Sequence, residues 1–150
     1  MVISIDVPSE YGWVVLGAGL GPVITSIVLS GYVMGARKEF DVQYPNLYAV
    51  PKHHKNADAF NRVQRGHQNF LENSDSYTIM TLLGGLKNPI VCAAGSVLYC
   101  VGSILYMKGY ADTNLNVETA RYKKGAGIKY LGFFASLVST AQLGYSLIKG

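Results

Sequence analysis

Charge is what this 150-residue chain has least of. Asp, Glu, Lys and Arg make up 15% of it, against the roughly 25% of an ordinary soluble domain. A soluble helical bundle needs a polar outer face on every helix, and three long stretches here have none. Cysteine is almost missing as well, with only Cys92 and Cys100. On one helix their spacing is about 12 Å of rise, beyond disulfide reach, so both are expected as buried apolar thiols. The three histidines, His53, His54 and His67, show no ligand spacing with these thiols, and no metal site is expected. Met1–Glu10 lacks the basic n-region of a signal peptide, and the apolar run after it is too long for a signal core. That run is expected to remain as an uncleaved span. Internal repeats and low-complexity segments are also lacking.

Long apolar runs are present. No charged residue interrupts Tyr11–Ala36, Asn88–Met107 or Tyr130–Ile148, and each run approaches or exceeds the ~20 residues that cross a bilayer as a helix. A fourth candidate, about 57–86, is apolar only in its second half. The pattern predicts an all-α, integral membrane four-helix bundle. It forms a single domain over 1–150, with spans at about 11–36, 57–86, 89–110 and 125–148. Pro22 is expected to kink the first span, and its small residues, Gly17, Gly19 and Gly21 among them, to allow close helix approach. The first connection, from Arg37 to about Asn56, contains Pro45 and Pro51 and reads as an irregular polar loop. Lys87-Asn88-Pro89 is a tight turn that makes spans two and three antiparallel neighbours.

The net charge of +4 does not indicate nucleic acid, because its distribution serves topology. All the Lys and Arg except Lys87 and Lys149 flank the first and third connections. By the positive-inside rule those two connections are cytoplasmic, and both termini and the second connection lie opposite.

The charges that remain are arranged. Arg65, Asn69 and Glu72 stand at i, i+4 and i+7, on one helical stripe at the threshold of the second span. Ionisable groups at membrane depth are costly and normally face a protein interior. A cation, an amide and a carboxylate together suit a small zwitterionic peptide; the plainer reading is a polar network that ties helices together. The third span carries Tyr99, Ser103, Tyr106 and Tyr110, again on one stripe. They read either as an interfacial aromatic belt or as a stripe whose Tyr106 and Tyr110 hydroxyls face the same pocket as Arg65.

Phe60-Asn-x-x-Gln-Arg-x-His-Gln-Asn-x-Leu-Glu72 resembles the second-helix motif of the MAPEG family, the membrane-associated proteins of eicosanoid and glutathione metabolism. Glu10-Tyr-Gly12, Ala36-Arg-Lys38, Gln43-Tyr-Pro45 and Leu105-Tyr-x-x-Gly-Tyr110 extend the resemblance in order along nearly the whole chain. It implies a homotrimer of four-helix subunits, with glutathione bound between neighbours near the cytosolic face of the endoplasmic reticulum membrane. No retention signal is legible at Ser146-Leu-Ile-Lys-Gly150, so the organelle rests on the resemblance alone. By position, Arg65, Asn69 and Glu72 would hold the charged and amide groups of glutathione. His67 would add a polar contact, Tyr106 and Tyr110 would close over the peptide, and Arg37 corresponds to a basic residue ending the first helix. The thiol-activating arginine of the family falls where the fourth helix begins. Arg121 and Lys124 are the candidates, Arg121 being preferred because its charge is fixed. Two departures stand out: Ser103 replaces an arginine, and Asn73-Ser-Asp75-Ser replaces an aromatic-proline turn, with Asp75 adding a negative charge.

A thiol with a pKa near ~8.5 is mostly protonated at neutral pH, and the thiolate is the nucleophile. A nearby guanidinium favours the thiolate. The expected activity is therefore that of a glutathione transferase, or of a glutathione-dependent peroxidase, acting on a hydrophobic lipid electrophile or hydroperoxide that arrives through the membrane lipid. The alternative is a non-catalytic lipid-binding adaptor of the lipoxygenase-activating type. A channel or transporter has little support, since no paired broken helices appear.

Overall fold

Residues 7–150 are described by the computed structural model, and all the regular structure among them is helical. Residues 1–6, part of the Met1–Glu10 stretch read as lacking a basic n-region, lie outside the described residues. We label the helices α1 (Tyr11–Glu39), α2 (Ala57–Gly85), α3 (Pro89–Tyr110), α4 (Val117–Ala120) and α5 (Ile128–Lys149).

Within α1, Tyr11–Val14 passes into a π-helical turn, Val15–Leu20, before regular α-helix resumes over Gly21–Glu39. Pro22 accounts for the position of that turn. It has no N–H for the Ala18 carbonyl, and in a regular α-helix its ring would press on that carbonyl. Widening the turn just before it removes the conflict, so a π-turn stands where a kink is expected. The helix continues past the expected end at Ala36 to Glu39, since Arg37 and Lys38 suit the negative end of a helix dipole. At the far end, the fourth long helix begins at Ile128 rather than near residue 125. Lys124 (φ 57°) and Gly125 (φ 80°) are in the left-handed region and cannot start a right-handed helix. The third connection contains the single helical turn α4, capped by the Asn116 side chain, which accepts from the Glu118 N–H. At the second connection the tight turn forms as expected. Pro89 opens α3, where its missing N–H costs nothing, and Asn88 bonds back to the Gly84 carbonyl at 2.9 Å.

The chain divides into two compact units. One contains the described residues up to Val23 together with Ser74–Val101 and Ile128–Gly150; the other contains Ile24–Asn73 and Gly102–Gly127.

The first unit is held by small and hydroxyl side chains. Thr81 Oγ1 lies 2.9 Å from Ser136 Oγ and donates to the Tyr77 carbonyl at 2.8 Å. Thr140 Oγ1 donates to the Met80 carbonyl at 2.6 Å, and Asn88 Nδ2 donates to Gln142 Oε1 at 2.6 Å. Tyr77 and Tyr99 stack with ring centroids 3.6 Å apart and planes 10° from parallel. At Gly132 a Cβ would collide with the Gly95 carbonyl and come within 2.9 Å of the Tyr99 nitrogen, so α3 and α5 touch backbone to backbone. This is how helices associate in an apolar solvent, where burial of apolar area gives little advantage. Cys92 is buried in a small cluster with Val14 and Ala18, and Cys100 is half-buried; neither forms a disulfide.

The second unit has an apolar centre of Ala36, Val42, Ala49, Ala57 and Phe60, with its connections tied to the helices by charged and amide side chains. The Arg37 guanidinium donates to the carbonyls of Val42 (3.1 Å) and Asn46 (2.9 Å) and lies 4.3 Å from the centroid of the Tyr44 ring.

Candidate functional site

The stripe on α2 forms as the spacing predicts, and it lies wholly in the second unit. Arg65 and Glu72 are two turns apart on one face, and Arg65 Nη1 donates to Glu72 Oε1 at 2.7 Å. Their side chains are 45% and 44% exposed, so the pair lies half-open at the surface of this chain. Within this chain the cation and the carboxylate of the stripe are paired with one another. The Asn69 carbonyl accepts from Asn73 Nδ2, and α2 runs unbroken through residues 73–76, where a proline turn is replaced.

Arg65 lines a cavity of about 240 Å³ with Tyr48, Asp58, Asn61, Arg62, Tyr110 and Val117. Tyr110 therefore shares a pocket with Arg65, as the stripe on the third span suggests. Tyr106 does not line it; its side chain is 5% exposed, with its ring 6.3 Å from that of Tyr110. Ser103 and Tyr99 are fully buried, so the lower half of that stripe serves packing. His67 faces away from Arg65, about 200° round the helix, and its Nε2 lies 3.4 Å from Ser30 Oγ. Arg37 is occupied with the first connection, as described above.

The two candidates for thiol activation are separated by the geometry. Arg121 caps the end of α4, and its guanidinium lies 5.1 Å from the centroid of the Tyr110 ring that lines the Arg65 cavity. Arg121 Nε is buried with no hydrogen-bond partner. A buried N–H donor without an acceptor is costly and marks a place where an acceptor is wanted. Lys124 is paired instead with Asp112, 2.8 Å away, and lines a different, larger cavity of about 740 Å³ with Tyr32, Glu39 and Lys108. The Lys124 ammonium, seconded by the Asn114 N–H, holds the Asp112 carboxyl below the usual aspartate range.

Five further residues of the pocket carry no role in the sequence reading: Tyr48, Asp58, Asn61, Arg62 and Val117. Asp58, Asn61 and Arg62 extend the Arg65 stripe by one and two turns toward the start of α2, so helical spacing contained the signal. Tyr48 sits in an irregular connection and has no such signal. Its hydroxyl donates to Gln68 Oε1.

Three helices, α1, α3 and α5, are long and apolar enough to cross a membrane, and they expose large apolar side chains such as Trp13, Ile27, Val97 and Leu131. The molecule is thus a multi-pass, all-α membrane protein. Residues 15–146 match the MAPEG family, and the chain belongs to it. Members of that family are mostly glutathione-dependent enzymes, with non-catalytic lipoxygenase-activating proteins among them.

Proposed function

We propose that this protein is a membrane glutathione transferase with glutathione-dependent peroxidase activity toward lipid hydroperoxides, most similar within its family to microsomal glutathione S-transferase 3. In this reading α2 also crosses the membrane and brings the spans to four, 1–150 is a single four-span domain, and the first and third connections face the cytosol from the endoplasmic reticulum membrane. Arg65, Asn69 and Glu72 hold the charged and amide groups of glutathione, Tyr110 closes beside them, and Arg121 stabilises the thiolate. Arg37, His67 and Tyr106 belong to the site through a homotrimeric assembly or through support of its walls.

The observation that carries this reading is the unpartnered Nε of Arg121, whose guanidinium lies over Tyr110, a residue that lines the pocket together with Arg65. The half-exposed Arg65–Glu72 pair suits a pocket that a second copy completes. Exchanging that pair for the carboxylate and amine of a peptide keeps both charges matched, so entry of the ligand leaves neither ion bare.

The chemistry follows from the thiolate. Attacking an electrophilic carbon such as that of an epoxide, the thiolate sulfur forms the C–S bond of a conjugate as the C–O bond breaks, and the released oxygen takes up a proton from water. With a lipid hydroperoxide, two glutathione molecules give the disulfide, one lipid alcohol and one water. A hydrophobic acceptor reaches the site laterally through the bilayer.

The test is calorimetric titration of glutathione into the purified full-length protein, with thiolate absorbance followed in parallel. Binding with thiolate formation at neutral pH is expected. Binding of lipid without glutathione would assign the protein to the lipoxygenase-activating class instead.

A further inference from the structure

Asn61 and Arg62 are consecutive on α2, and each is bonded to the backbone of a different connection. Asn61 donates Nδ2 to the Ala49 carbonyl at 2.9 Å and accepts from the Ala49 N–H at 2.7 Å, as a neighbouring strand would. Arg62 donates Nη1 to the carbonyls of Asp112 and Leu115, both at 3.1 Å, and pairs with Asp58 through Nε at 2.9 Å. Its side chain is only 11% exposed. A guanidinium withdrawn this far from water is costly unless it is paired, and here two backbone oxygens accept from Nη1 and the Asp58 carboxylate balances the charge, while Nε itself has no hydrogen-bond partner.

We propose that Asn61 and Arg62 are a pair of positioning residues that staple the first and third connections over the Arg65 pocket. Asn61 fixes Ala49 and so sets the adjacent Tyr48 in the pocket wall. Arg62 fixes Leu115; Asn116 then caps α4, Val117 enters the pocket wall, and Arg121 leaves the end of the turn beside Tyr110. Gly109 completes the arrangement, because a Cβ there would stand 2.6 Å from the Ala120 carbonyl. The short path from Leu115 to Arg121 is thus held at its start by Arg62, in its middle by a helical turn, and at its end by α3. Lysine cannot replace Arg62, since a single ammonium does not reproduce the rigid fork that serves two carbonyls and a carboxylate together. What is positioned rests on the proposed function; that the two connections are held by these two side chains does not.

Hydrogen exchange on the full-length protein in nanodiscs separates the two questions. Arg62→Gln and the milder Arg62→Lys are expected to speed exchange roughly tenfold in residues 111–122 and to leave the first connection unchanged, as loss of one or two hydrogen bonds predicts. Asn61→Ala is expected to do the reverse, loosening residues 42–50 alone. In an active protein, Arg62→Lys should also raise the apparent pKa of bound thiol by about one unit and lower kcat about tenfold with a smaller change in KM. Asn61→Ala should act mainly on KM. Uniform loosening, or no change in either connection, overturns the staple. The expected exchange pattern with thiol pKa and turnover unaltered overturns the positioning role. A wild-type protein that binds no glutathione rejects the proposed function, and the exchange arms still decide the staple.

Discussion

The two units of this protein divide α1, α2 and α3 between them, with α5 in the first alone, yet they are held together by opposite means. One is joined by hydroxyls, small residues and backbone contact, with Thr81 on Ser136 and Gly132 against Gly95. The other is joined by guanidinium and amide groups that grip loop carbonyls: Arg37 on Val42 and Asn46, Asn61 on Ala49, Arg62 on Asp112 and Leu115. The difference follows from what each unit has to fold. Helices that pack in lipid gain from close approach and from hydroxyl bonds. Irregular connections carry backbone groups with no helical partners, and long polar side chains supply them. The candidate site lies in the second kind of unit, where charged groups are already paid for by structure.

The sharpest break of this comparison is Gly132→Leu. A side chain there meets backbone on α3 rather than movable side chains, so destabilisation of about 3 kcal/mol or more is expected. Thermal melting in detergent would read it, while glutathione affinity per folded molecule should be unchanged. A tolerated leucine would show that α3 and α5 are not in backbone contact.

The converse experiment is Arg65→Ala, which should leave the melting temperature nearly unchanged because the Arg65–Glu72 pair is half-exposed. Loss of a charge-assisted contact to the ligand should weaken glutathione binding by about 2 kcal/mol, roughly thirtyfold in Kd. Equal affinity in calorimetry would leave the stripe a purely structural ion pair.

A smaller effect, near tenfold in turnover, is expected of Arg121→Ala through loss of about one pKa unit of thiolate stabilisation. Lys124→Ala should be close to neutral, because Lys124 is engaged with Asp112 and lines another cavity. Reversed behaviour in stopped-flow thiolate measurements would transfer the role to Lys124.

The smallest effect concerns pH. The Asp112 carboxyl is held below its unfolded value by Lys124, so its stabilisation is present above the ordinary aspartate range and lost as pH falls through the folded value. Exchange in the third connection should rise on acidification through that range, and Asp112→Asn should flatten the response. An unchanged acid response in the variant would show that the ion pair does not hold the loop.

Much of this was legible in the chain. Charge-free runs marked the three apolar helices because a bilayer imposes length and composition directly. The stripe from Arg65 to Glu72 was legible because helical geometry alone puts i, i+4 and i+7 on one face. The sharing of a pocket by Tyr110 and Arg65 was suggested by the tyrosine stripe, but the burial of Tyr106 was not. Spacing fixes which side chains share a face and is silent on how far each lies from the surface.

The sequence by itself thus determined the all-α membrane class, the family, and the candidate residues of the α2 stripe, because each depends on period, length or local motif. Only the tertiary structure separated Arg121 from Lys124, occupied Arg37 with its loop, and gave Asn61 and Arg62 a role. Those outcomes depend on where irregular connections return to the helices. Connections have no period to read, and their course is decided by which buried donors and carbonyls meet when the chain folds.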